Sequence, residues 1–129
     1  MAKATILVID DEESVREVLR RFLAQAGYEV KTAADGKEAL EFVNSGPPPD
    51  VLILDLMMPV MNGFEVLSAL RVHSSWKEIP VIVLTATMGY SADHLDVDAT
   101  LMKPFDSVTV QNAIETALAH RRGQDGKTS

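Results

Sequence analysis

The sequence has no cysteine in its 129 residues. That excludes thiol redox chemistry, cysteine-ligated zinc and a disulfide framework. Histidine is scarce: His73, His94 and His120 stand apart, without the spacing of a metal-ligand set. No apolar run approaches the roughly 18 residues of a membrane-spanning helix. The run nearest the N-terminus, Ile6 to Ile9, is too short for the core of a signal peptide, so no membrane association is expected and the cytoplasm is the default location. A glycine-rich phosphate loop is also missing. After the first apolar run stand Asp10, Asp11, Glu12 and Glu13, which repel phosphate rather than cradle it. Positive charge is in deficit. The net charge of -7 argues against direct nucleic acid binding and is compatible with holding a cation.

What is present fits one domain that buries roughly two-thirds of its unfolded surface without a metal or disulfide. Ile6-Leu7-Val8-Ile9, Val51-Leu52-Ile53-Leu54 and Val81-Ile82-Val83-Leu84 are short, continuous and largely β-branched. Continuous apolarity predicts strands covered on both faces, as in a parallel sheet. Tyr28 to Ala33 alternates, as an edge strand does, and Ala99 to Met102 is a weaker fifth candidate. Between them lie helical patterns. Val15, Val18, Leu19, Phe22, Leu23 and Ala26 share one helix face, with Gly27 placed to end it. Ala39, Leu40 and Val43 mark a second helix, and Val66, Leu67 and Leu70 a third. Val110, Ala113, Ile114, Ala117 and Leu118 mark the last, with Asp106 or Ser107 as its N-cap. Strands alternating with helices predict a doubly wound α/β fold with helices on both faces of the sheet. Residues 1–122 form the expected domain, and the polar residues 123–129 a flexible tail or the start of a linker.

In such a sheet, ligands bind beyond the carboxyl ends of the strands. Here those ends run into Asp10-Asp11, Asp55, Thr85 and Lys103. Taken singly, each has a plain structural account. Asp10 to Glu13 could be an acidic helix start, Asp55 a turn cap, and Thr85 and Lys103 mean little alone. Together they place three carboxylates, a hydroxyl and an ammonium on one edge. At about 4 Å and an effective dielectric near 20, each carboxylate pair costs roughly 4 kcal/mol, so the cluster calls for a cation or a protonated acid. Oxygen donors alone favour a hard ion such as Mg²⁺. One carboxylate then remains as a nucleophile able to take a phosphoryl group, with Mg²⁺ and Lys103 neutralising charge, the Thr85 hydroxyl donating a hydrogen bond, and the small Ala86 leaving an approach path.

These residues carry a resemblance. Ile6 to Glu12, Asp55 to Gly63, Leu84-Thr85-Ala86 and Lys103-Pro104-Phe105 resemble, in this order, the receiver domain of two-component response regulators, over residues 4 to about 121. The resemblance implies a flavodoxin-like five-stranded sheet of order 2-1-3-4-5. It makes Asp55 the phosphoacceptor. Asp11 and Asp55 would be metal ligands, with Asp10 acting through water and Met57 through its backbone carbonyl. Mg²⁺, or alternatively Mn²⁺, would be the cofactor. Thr85 and Lys103 would bind phosphoryl oxygens, and the peptide preceding Pro104 would be cis. The phosphodonor would be a sensor histidine kinase or phosphotransfer protein, with an output partner that the residues do not name.

Two departures from the family pattern stand out. Thr100 occupies the strand-five position where the family usually has an aromatic, with Tyr90 the nearest candidate to replace it. The 18-residue step from Thr85 to Lys103 is roughly one helical turn shorter than the family's, which predicts a shortened or irregular fourth helix. A phosphorylation-independent docking module on the same scaffold is therefore the competing expectation. An enzyme is not expected, beyond slow self-phosphorylation and self-dephosphorylation. An aspartate-nucleophile phosphatase needs a general acid two residues past the nucleophile, and Met57 stands there.

Overall fold

The computed structural model describes residues 3–58, 62–85 and 97–126, with side chains through residue 119. Five parallel strands, β1 (Thr5–Ile9), β2 (Glu29–Ala33), β3 (Val51–Asp55), β4 (Val81–Thr85) and β5 (Ala99–Met102), form one sheet in the order β2-β1-β3-β4-β5. The helices among the described residues are α1 (Glu13–Gln25), α2 (Gly36–Val43), α3 (Gly63–Arg71), a 3₁₀ turn (Ser74–Trp76) and α4 (Ser107–Gly126). The backbone of α4 stays helical through Gly126, past the boundary expected at residue 122. The expected fourth helix, with Met88, Gly89 and Tyr90, lies outside the described residues, as does Ala86. Among the described residues no helix is long and apolar enough to cross a membrane.

The side-chain period of two divides each central strand between two cores. Leu7, Ile9, Leu52, Leu54, Val81 and Val83 face Ala39 of α2 and Val66, Leu67 and Leu70 of α3, with Trp76 closing that layer. Ile6, Val8, Val51, Ile53, Ile82 and Leu84 face Leu19 and Leu23 of α1 and Val110 and Ile114 of α4. Every residue of β3 and β4 is buried, whereas β2 alternates as an edge strand does. The continuous apolar runs thus belong to strands sandwiched between helices.

Local chemistry sets where each element starts and stops. Gly27, at φ +101°, follows the last turn of α1, a backbone angle that side chains disfavour. Asp35 caps α2 by accepting from the Glu38 N–H at 2.8 Å. Asn62 and Glu65 form a reciprocal capping box at the start of α3, with contacts of 3.0 and 3.1 Å. Asp106 caps α4 through the Thr109 N–H at 2.7 Å. At the opposite edge of the sheet, Asp50 accepts from the Thr5 N–H at 2.8 Å and Asp98 from the Val81 N–H at 3.0 Å. These two aspartates tie the loops entering β3 and β5 to the starts of β1 and β4.

Gly63 is the tightest junction between scaffold and site. A Cβ there would sit 2.6 Å from the Asp55 carbonyl oxygen and 2.7 Å from the Leu56 Cα. Both are backbone atoms that cannot turn aside. The start of α3 therefore packs directly on the strand end that carries Asp55. Gly63→Ala should destabilise the fold by roughly 1–3 kcal/mol, read as a lower urea midpoint at unchanged m-value. Wild-type stability for this variant would contradict the packing described.

Candidate functional site

The sheet register brings the candidate residues to one edge. The Asp10 N–H donates to the Ala33 carbonyl at 3.1 Å as β1 ends. Asp55 closes β3 opposite Leu84, whose carbonyl accepts from the Leu56 N–H at 3.0 Å. Thr85 closes β4, and its carbonyl accepts from the Lys103 N–H at 2.8 Å just past β5. Residues separated by as many as 93 positions in the chain (Asp10 and Lys103) thus meet within one ion-pair distance.

Lys103 is the centre of the group. Its Nζ lies 2.9 Å from Asp10 Oδ2, 3.0 Å from Glu12 Oε1 and 3.4 Å from Asp55 Oδ2. Asp10 and Asp55 are buried, Lys103 is mostly buried, and Glu12 is exposed. Asp10 is fixed from several sides: Oδ1 accepts from the Glu12 N–H at 2.9 Å, and its carbonyl accepts from Arg16 Nη1 at 2.8 Å. Asp55 Oδ1 accepts from the Met57 N–H at 3.1 Å. The Met57 backbone therefore contacts Asp55 directly, while its side chain is exposed.

Carboxylate oxygens of Asp10, Asp11, Glu12 and Asp55 all lie within 4.8 Å of one another. Burial pushes the Asp55 carboxyl up to about 6, against the Met57 N–H, with the Asp10 charge adding to the rise and Lys103 opposing it. For Lys103, burial alone would favour the neutral amine. The carboxylates of Asp10, Glu12 and Asp55 together outweigh it and hold the ammonium charged above its ordinary range.

This donor set fits a hard divalent cation. It is all oxygen, it is compact, and Asp10 Oδ2 is a buried acceptor that meets Lys103 as an ion pair without a well-aligned hydrogen bond. A cation here would neutralise charge left by one ammonium that reaches three of the four carboxylates.

Of the residues singled out in the sequence, Asp10, Asp11, Asp55 and Lys103 come together. Thr85 is buried at the same edge. The Lys103–Pro104 peptide is cis. Thr100 is exposed on the edge strand β5. Glu12 and Arg16 were given no role in the site by the sequence. Glu12 follows the Asp10-Asp11 pair directly and was readable only as part of an acidic helix start. Arg16 carries no local signal, because its partner is a backbone carbonyl.

The family model described as "Response regulator receiver domain" matches residues 6–115. The response regulator MprA of Mycolicibacterium vanbaalenii is 43% identical over 121 residues, which cover 91% of this chain and 48% of that protein. The chain thus spans about half the length of the curated relatives it matches. Among solved structures, the Vibrio cholerae chemotaxis protein CheY4 superposes with TM-score 0.83 at 37% identity, covering 91% of this chain and all (100%) of that one. The N-terminal domain of a response regulator receiver protein from Methanoculleus marisnigri superposes with TM-score 0.73 at 34% identity, covering 92% and 98%.

The raised Asp55 carboxyl has a stability consequence in metal-free buffer. The unfolded residue ionises near 3.8 and the folded one near 6, so the folded protein retains a proton that the unfolded chain has lost. Stability associated with that proton is fully present below pH 3.8 and is lost as pH rises through 6. Asp55→Asn should flatten this window and raise neutral-pH stability by about 2–3 kcal/mol in the presence of a chelator. Thermal melts between pH 4 and 7 test it, and Mg²⁺ should narrow the difference between variant and wild type.

Proposed function

Since the chain belongs to the response regulator receiver domains, we propose that Asp55 accepts a phosphoryl group from a histidine kinase or phosphotransfer protein. The event would switch the domain between two signalling states, in the cytoplasm. Receiver domains are in general non-enzymatic signalling domains that are phosphorylated on aspartate with Mg²⁺ bound through acidic residues. The observation that carries the reading to these positions is the buried Asp55 carboxylate facing the Lys103 ammonium at 3.4 Å inside a four-carboxylate cluster.

In this reading an Asp55 oxygen attacks phosphorus. The P–O bond forms as the P–N bond of the donor phosphohistidine breaks, its electron pair remaining on the departing nitrogen. Asp11 and Asp55 would hold Mg²⁺ directly, Asp10 would act through water, and the Met57 carbonyl would be a further ligand. When bound, the ion supplies charge neutralisation to the phosphoryl oxygens. Lys103 contributes a fixed positive charge that needs no proton uptake, because its neighbours keep it protonated. The Thr85 hydroxyl, at the end of β4, donates to a phosphoryl oxygen. The Met57 N–H, already bonded to Asp55, orients the nucleophile. Any catalysis is limited to slow self-phosphorylation and self-dephosphorylation. Residues 1–122 form the receiver unit, and the readout face is atypical.

Thr100 supports a second reading. Being exposed on β5 and too small to report a ring movement, it leaves room for a module that docks partners without regard to phosphorylation.

Acetyl phosphate with Mg²⁺ should add one phosphoryl group to the wild type and none to Asp55→Asn, as read by intact mass. Equal labelling of the two proteins would sink the phosphoacceptor assignment. Asp11→Asn should weaken Mg²⁺ binding by roughly 10- to 100-fold, measured by titration calorimetry. Partner affinity that stays the same with and without beryllofluoride would favour the docking reading over the switch.

A further inference from the structure

An ammonium has three N–H donors, and Lys103 directs its charge at three carboxylates: Asp10, Glu12 and Asp55. Only the contact with Glu12 is a hydrogen bond; Asp10 Oδ2 and Asp55 Oδ2 meet the ammonium as ion pairs. A phosphoryl group on Asp55 adds negative charge beside this one ammonium and competes with the carboxylates already there. Asp10 is buried and held through both its Oδ1 and its backbone. Asp55 is the acceptor itself. Glu12 is the remaining one, with its side chain 55% exposed.

The position of Glu12 makes its contact with Lys103 more telling. It is the N-cap residue of α1, with extended backbone (φ -87°, ψ 115°), yet its side chain makes no capping hydrogen bond. The caps of α2, α3 and α4 all use their side chains on their own helices. The Glu12 carboxylate instead reaches across to Lys103, 91 residues away in the chain, at 3.0 Å.

Resting on the receiver reading above, we propose that Glu12 is a latch. It holds a hydrogen bond from Lys103 in the unphosphorylated protein, and the incoming phosphoryl group displaces it. The latch competes with the anion for the same N–H, so it lowers the affinity of the site for phosphoryl-like ligands in proportion to the time it is closed. It also makes the β1–α1 junction responsive to phosphorylation, because Glu12 is released from Lys103 as the anion binds.

Three variants separate a latch from simpler effects. Glu12→Gln removes the charge. Glu12→Asp keeps the charge but shortens the reach. Glu13→Gln removes an exposed charge one residue away. Apparent beryllofluoride affinity at saturating Mg²⁺, followed by NMR, should rise about two- to tenfold in both Glu12 variants and stay at the wild-type value in Glu13→Gln. The melting temperature should change little in all three, and Mg²⁺ affinity is measured without the anion for each protein so that beryllofluoride affinities are compared at equal metal occupancy. If Glu12→Asp behaves as wild type while Glu12→Gln and Glu13→Gln improve equally, the effect is bulk charge and the latch is overturned. A marked loss of Mg²⁺ affinity in Glu12→Gln would make Glu12 a metal ligand instead. Equal beryllofluoride binding by all four proteins overturns the latch alone. No binding by any of them overturns the receiver reading as well.

Discussion

Lys103 carries its charge into a corner of the protein where acids outnumber it and solvent is largely excluded. Burying an ammonium is costly, and so is crowding carboxylates. Each of these costs is offset only by the other, which ties the strand end of β1 to that of β3 and to the segment after β5. The balance is incomplete, because one cation faces a cluster of acids. Burial, with a smaller contribution from the Asp10 charge, leaves Asp55 with an upward-shifted carboxyl. A group in that condition gains from any arriving positive charge, and a divalent ion is the kind of charge that the oxygen donors select.

The rest of the fold serves to hold this corner in place. Parallel strands of nearly equal length end in register, so residues that terminate them become neighbours. Two apolar layers clamp the sheet from opposite faces and leave the strand ends as the place where polar groups gather. Gly63 and the Asn62–Glu65 capping box bring α3 down onto the backbone at Asp55, and Arg16 turns back from α1 to hold the backbone at Asp10. Asp10 and Asp55 are therefore set by backbone contacts as much as by side-chain ones. Chemistry dominated by positioning and charge needs that kind of support.

The candidate site and Thr100 sit at different places in the sheet. The site is built from buried strand ends. Thr100 lies on the edge strand β5, where its exposed side chain takes no part in either core. Of the described contacts of Lys103, the one with Glu12 reaches furthest toward solvent. In the latch proposed above, it would give the β1–α1 junction a route to the phosphorylation state that does not depend on strand five.

By itself the sequence determined the fold class, the strand order through its family resemblance, and that Asp10, Asp11, Asp55, Thr85 and Lys103 stand at the carboxyl edge of the sheet. It could do so because buried parallel strands read as continuous apolar runs such as Val51 to Leu54, and because polar residues at the ends of such runs have few structural reasons to be there. The Gly27 stop and the Asp106 cap were equally readable, since their causes lie within a few residues. Only the tertiary structure decided which carboxylates Lys103 meets, that Glu12 turns from its own helix toward it, and that Arg16 clamps Asp10. These are contacts between segments whose separation in the chain carries no periodic signal. Their choice depends on distances of a few tenths of an ångström, set by strand register and helix packing rather than by residue type.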